Sequence, residues 1–253
     1  MDNKDRINSS NKLSDQYGLL DYSKIDIALS ISSETERSIR LNSCKREPQT
    51  VEWVENLPEN SIFFDIGANT GSYSLIAGSQ NKFGKNMYVY SFEPHFANFE
   101  RLVKNIRINK LEEFVIPVNM AISNKSQSGK LYHWNQYQNG EAGSSGHQLN
   151  RNIDYAGNEF EPEAMQSILS MSLDDFCRVY NIYPTDIKID VDGIEELIIR
   201  GMSNLITKEG GLRSILIELN GESVTFINSF LVASGFKPTY HEKNGNVLYL
   251  RDN

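Results

Sequence analysis

The chain has 253 residues, 39% of them hydrophobic and 23% charged, with a formal net charge of −8. That length suits one α/β domain with an insertion or an appended arm, and it can bury a core without disulfides or structural metal. The acidic balance argues against general nucleic-acid binding, which needs a basic face. The two cysteines, Cys44 and Cys177, show neither metal spacing nor a disulfide framework and fit a reducing compartment. The opening MDNKDRINSS lacks the apolar core of a signal peptide, and no run approaches the roughly 20 apolar residues of a membrane span. The expectation is a cytoplasmic protein with no membrane span and no nucleic-acid partner, its oligomeric state left open.

Residues 1 to about 16 are polar and read as frayed. From Ile25 to Leu57 the pattern is mostly helical, with Thr50 as a cap and Trp53 turned inward. The division is an N-terminal, partly helical arm over 1–49 and a main domain over 50–253. Ser61-Ile62-Phe63-Phe64-Asp65 is an apolar run suited to a strand buried on both faces. A helix starts near Tyr73, and Met87 to Phe92 is a second strand. Phe96, Phe99, Leu102, Val103 and Ile106 recur at helical spacing. Phe114 to Val118 is a third strand, placed at a sheet edge because Pro117 cannot donate a ladder hydrogen bond. Gly129 to Trp134 reads as a strand. Asn135 to Glu163 is then a long polar insert carrying Tyr137, Tyr155 and Phe160, too long for an ordinary connection.

Regular structure resumes at Ser167-Ile168-Leu169. A helix follows from Asp174 to Tyr180 with Ser172 as its cap. Asp186 to Val191 is the fourth core strand, Ile194 to Leu205 a helix and Ser214 to Glu218 the fifth strand. Val224, Ile227, Phe230 and Leu231 mark the last helix, closed by Gly235. Two final strand-like runs flank Asn244-Gly245, a hairpin turn signal. Strands alternating with helices predict a mostly parallel, Rossmann-like sheet covered on both faces, with an antiparallel C-terminal hairpin.

In such sheets ligands bind beyond the carboxyl ends of the strands. The first such end is Asp65-Ile66-Gly67-Ala68-Asn69-Thr70-Gly71, where Gly67 and Gly71 allow a sharp turn and close approach. Asp65 stands where a dinucleotide fingerprint has its first glycine. A carboxylate there would repel a pyrophosphate and suit a ligand with an ammonium group. Glu93, at the end of the second strand and about 20 residues past the loop, can accept hydrogen bonds from both hydroxyls of a ribose.

The segments TVEWVENLPENSIFFDIGANTGSYSL, YSFEPHFANFERLVKNIRIN, VNMAIS, SMSLDDF and KIDVDGIEELIIRGM, in this order, resemble the FkbM family of S-adenosylmethionine-dependent methyltransferases. They span most of Thr50 to Leu219. The family commonly has Glu where Asp192 stands. The resemblance implies a class I methyltransferase fold with a seven-stranded sheet. It implies that Asp65, Gly67, Asn69 and Gly71 surround the methionine part of S-adenosylmethionine. It implies that Glu93 holds the ribose and that Met120-Ala121 lies by the adenine. Members typically methylate oxygen, often on a sugar or secondary metabolite.

Asp190 and Asp192 follow a core strand, and period 2 would set both on one side if the strand runs that far. Asp190 is read as lying near the cofactor's methyl end and Asp192 near the acceptor, where carboxylates orient a hydroxyl or accept its proton. The alternative is that Asp190 holds loop backbone and Asp192 caps the next helix. No third carboxylate is tied to them by sequence, so no metal is assigned. Among His95, His133, His147 and His241, His133 beside the insert is the preferred base, against ordinary surface imidazoles.

The expected activity is O-methylation of a hydroxyl on a saccharide or glycosylated metabolite, with the insert as a lid over the acceptor. Two other readings stay open: a nicotinamide-dependent oxidoreductase, opposed by Asp65, and a non-catalytic module that only binds S-adenosylmethionine.

Overall fold

The computed structural model describes residues 16–133, 142–153, 158–162, 164–208, 211–219, 223–241 and 245–251. The fraying expected of the first residues, the strand end Trp134, and Tyr137 and Tyr155 of the insert lie outside these.

The arm is only partly helical. It begins with an antiparallel pair, β1 (Gln16–Leu19) and β2 (Ala28–Ile31), then α1 (Glu34–Ser38), α2 (Ser43–Arg46) and α3 (Pro48–Asn56). The strand β2 was legible as alternation of Ile25, Ile27, Leu29 and Ile31, a period-2 signal inside a stretch read as helix. Helix α3 starts at Pro48 rather than at Thr50, because proline suits the first helical position. Thr50 instead donates to Glu47. Trp53 is buried as expected, and its indole N–H reaches Ser214 Oγ at 3.1 Å.

The main sheet has seven strands. In chain order they are β3 (Ile62–Ile66), β4 (Tyr88–Phe92), β5 (Val115–Val118), β10 (Asp186–Ile189), β11 (Ser214–Glu218), β12 (Phe236–His241) and β13 (Asn246–Arg251). Their order in space is β12-β13-β11-β10-β3-β4-β5. The strands β5, β4, β3, β10 and β11 are parallel, and β13 runs antiparallel to both its neighbours. Pro117 does sit on an edge strand. The turn residue Asn244 lies outside the described residues, whereas Gly245 is left-handed at φ 96°.

Alternation along each strand sends neighbours to opposite faces. Phe64, Ile187, Ile189, Ile215 and Ile217 pack under α6 (Leu173–Tyr180), α7 (Glu195–Arg200), α8 (Ser203–Thr207) and α9 (Ser223–Ala233). Phe63, Val89 and Leu216 pack under α3, α4 (Ser72–Ser79), α5 (Phe96–Ile108) and the arm. Asn105 on α5 and Asn109 at its C-terminal cap clasp the backbone of β2 at Ser30 and Ala28, which docks the arm. Ser172 caps α6 by accepting from Asp175 N–H. The helix expected over Ile194 to Leu205 is two short ones. Gly201 breaks it where the chain passes Ser123, whose carbonyl would lie 2.1 Å from any Cβ at that position.

The strand expected from Gly129 and the regular structure expected from Ser167 belong to a second sheet, whose assembly the sequence reading did not foresee. It has the order β6-β9-β7-β8, built from β6 (Ala121–Ile122), β7 (Gln127–His133), β8 (Gln148–Leu149) and β9 (Ala164–Met171). Leu131, Leu149, Ile168 and Ala121 form its own small core. The sheet stands beside the carboxyl end of β5 and walls one end of the site described next. Among the described residues no helix is long and apolar enough to cross a membrane.

Candidate functional site

A cavity of about 310 Å³ opens beyond the carboxyl ends of β3, β4, β10 and β11. Of the residues singled out from sequence, Gly67, Asn69, Glu93, Met120, Ala121, Asp190 and Asp192 line it, while Asp65, Gly71 and His133 do not.

Gly67 is left-handed, and a Cβ there would lie 1.9 Å from the carbonyl oxygen of Asp190. The close approach that demands glycine is thus to the neighbouring loop rather than to a ligand. Gly71, also left-handed, leads into α4 and would press a Cβ on Leu102. Asn69 adopts φ 52°, a conformation asparagine tolerates. Its N–H and that of His95 donate to the two oxygens of Glu93, each at 2.8 Å. Glu93 is buried, and burial pushes its carboxyl up to about 7. A carboxylate has about four acceptor positions, so Glu93 keeps capacity for hydroxyl donors in the cavity.

Asp65 does not face the cavity. It is 1% exposed beneath the loop, where Ser74 Oγ donates to it at 2.6 Å and Lys188 Nζ lies 3.9 Å away. Burial raises its carboxyl despite both. Lys188, itself 1% exposed, pairs at 2.6 Å with Asp190. The carboxylate that reaches the cavity is therefore Asp190. Burial works to raise it, but Lys188, with help from Glu218 and Arg40, holds it below the usual range. Strand β10 ends at Ile189, so strand periodicity does not align Asp190 with Asp192; the loop brings both to the cavity. Asp192 does not cap α7, whose cap position is Ile194. It accepts from Gly146 N–H at 2.7 Å, and burial pushes it up to about 6.

Three histidines gather although they are far apart in sequence. The rings of His95 and His147 stack with centroids 4.1 Å apart, and His133 approaches them at 4.5 and 5.2 Å. None is a surface imidazole. Burial pushes His95 down to about 4 and His147 to about 2. His95 and His147 line the cavity, while His133 stands behind them near Gln166. Among the described residues neither ring nitrogen of His95 has a well-formed hydrogen bond, and the nearby Asn98 offsets only a small part of the burial. Asn98 beside it uses its own amide on Gly143 and Ser144. A buried imidazole without well-formed hydrogen bonds at a cavity wall suits a polar ligand that supplies them.

Part of the insert, 142–149, crosses over the cavity as a strap. Ser144 O accepts from Asn69 and Asn98, Gly143 O from Arg40, and Gln148 donates to Asp192 O. The arm contributes too, since Arg40, Arg46 and Glu47 line the cavity. The sequence reading missed Arg40, His95, His147, Lys188 and Glu218 as wall or support residues. Lys188 carried a signal, being a lone lysine between aspartates in an otherwise apolar strand, which reads as a buried ion pair. Among the described residues no group of three or more His, Cys, Asp or Glu is arranged to hold a metal ion.

These features fit a nucleoside ligand. Glu93 suits a diol, Met120 with Leu131 and Leu149 offers apolar walls, and His95 has unused polar atoms. Comparison with known proteins shows the family. The model of the methyltransferase FkbM domain matches residues 65–238. Hexuronic acid methyltransferase AglP of Haloferax volcanii is 23% identical over 154 residues, covering 60% of this chain and 54% of that protein. The chain thus spans about half the length of this curated relative. The crystal structure of methyltransferase FkbM from Methylobacillus flagellatus superposes with a TM-score of 0.52 at 16% identity, covering 77% of this chain and 44% of that one. The chain belongs to the FkbM methyltransferase family.

Proposed function

We propose that the protein transfers a methyl group from S-adenosylmethionine to an oxygen of a saccharide or glycosylated metabolite. The observation that carries this reading is Glu93, a buried carboxylate at the end of β4, held by two backbone N–H groups and facing the cavity. Glu93 would hold the ribose, and Met120 and Ala121 the purine. Gly67 and Asn69 of the loop would flank the methionine part, with Asp190 near its methyl end. When bound, the cofactor supplies an electrophilic methyl on a sulfonium. The protein's share is to align the acceptor with it, exclude water and receive a proton. A saccharide acceptor is supported by the Haloferax relative, a hexuronic acid methyltransferase.

His133 is a poorer base than the sequence suggested, because it stands behind the wall rather than on it. Thermal shift with S-adenosylmethionine and with NAD tests the donor, since a ligand that binds only the native state raises its stability. Stabilisation by NAD alone would overturn the reading. Radiolabelled methyl transfer to a panel of uronate-bearing and neutral oligosaccharides tests the acceptor class.

A further inference from the structure

Parallel pairing sets Ile189 of β10 beside Ile217 of β11. The next residues, Asp190 and Glu218, therefore leave adjacent strand ends side by side. Both line the cavity, and the strand register sets them as neighbours at its floor, where Glu218 helps to hold Asp190 below the usual carboxylate range. Two carboxylates can share a hydrogen bond only if one keeps its proton. Lys188, 2.6 Å from Asp190, fixes the negative charge there and so leaves the proton on Glu218. The other charged or titratable groups facing the pair are Asp65 on β3, Tyr73 on α4, Asp192 after β10, Glu93 after β4, and Arg40, Arg46 and Glu47 of the arm. In the same cavity the ring nitrogens of His95 have no well-formed hydrogen bond among the described residues, which independently suits a polar ligand there.

We propose that Glu218 is the base of the reaction, that it shares one proton with Asp190 before the donor binds, and that the positive sulfonium expels this proton. Donor binding thereby arms the base. In the transfer step the acceptor O–H proton passes to Glu218 as the O–CH3 bond forms. The S–CH3 bond breaks, and its electron pair neutralises the sulfonium to a thioether. The inference rests on the donor placement proposed above.

The test compares S-adenosylmethionine with S-adenosylhomocysteine, which shares its groups but has a neutral sulfur. Calorimetric titration of the full chain at pH 7, in buffers of different ionisation heat, counts the protons exchanged with each ligand. Contributions from Glu93 and Asp192 are common to both. The sulfonium ligand is expected to release about 0.5–1 proton more than the thioether. Glu218→Gln should abolish that difference while still binding both ligands, and Glu218→Asp should restore it. Equal proton counts in the native chain, or a difference that persists in Glu218→Gln, would overturn the proposal. Absence of binding by either ligand would instead remove the donor assignment on which it rests.

Discussion

The side-chain amide of Asn69 donates to the Ser144 carbonyl at 2.8 Å, tying the glycine loop to a segment 75 residues further along the chain. The described strap of the insert is therefore tied to the glycine loop, which the proposed function sets at the donor, whereas composition alone suggested a lid over the acceptor. Replacing 135–163 by a short Gly/Ser linker should weaken S-adenosylmethionine binding at least about tenfold, roughly 1.4 kcal/mol. Asn98→Leu, which frees the strap at Gly143 and Ser144, should act in the same direction with a smaller change to the chain. Calorimetry together with circular dichroism checks both. Native affinity in a folded, shortened protein would return the strap to a purely structural role.

Glu93→Ala should weaken S-adenosylmethionine about tenfold to a hundredfold. It should also destabilise the protein by about 1–3 kcal/mol, because the N–H groups of Asn69 and His95 lose their shared acceptor. The carboxylate organises the loop, and under the proposed function it holds the ligand as well. Urea denaturation beside ligand titration separates the two effects. A variant of unchanged stability would show that these amides find other partners.

Two left-handed glycines should respond differently to alanine. Gly84 has open space around its missing Cβ, so Gly84→Ala pays only the backbone cost, about 1–2 kcal/mol. Gly67→Ala adds a collision with the Asp190 carbonyl at 1.9 Å, and about 3 kcal/mol or more is expected. Equilibrium denaturation of the pair gives the difference directly. Equal losses would mean that the β3 and β10 loops can part without strain.

Acidification offers a test of the histidine cluster. His95 is 1% exposed, and burial lowers it to about 4 from an unfolded value near 6.5. Between those pH values the unfolded chain binds the proton and the native chain does not, so stability falls as pH falls through this window. The contribution of His95 is up to about 3 kcal/mol across it. Glu93, raised to about 7 by burial, works in the opposite sense above about pH 4.5, because its native form holds a proton that the unfolded chain has lost. The slope difference between the native chain and His95→Gln isolates the histidine. Denaturation midpoints at several pH values should show a flatter acid limb in the variant. Identical limbs would show that the imidazole reaches solvent when charged.

What the sequence determined by itself was local. A buried strand, a glycine loop, a helix, a second strand and an acid follow one another within about 30 residues, and each is recognisable by its own period or turn chemistry. That placed Gly67, Asn69 and Glu93 on one cavity, and Pro117 placed β5 at the sheet edge. Tertiary structure decided what depends on elements far apart in the chain. Asp65 yields the cavity to Asp190 because Lys188 comes in from β10 beneath the glycine loop. His95, His133 and His147 meet because the second sheet folds back beside β5. Asp190 and Glu218 meet because β10 and β11 pair in one register after a long crossover. Composition and periodicity describe a segment's own preferences, whereas register between distant strands is set by packing of the whole sheet against its helices.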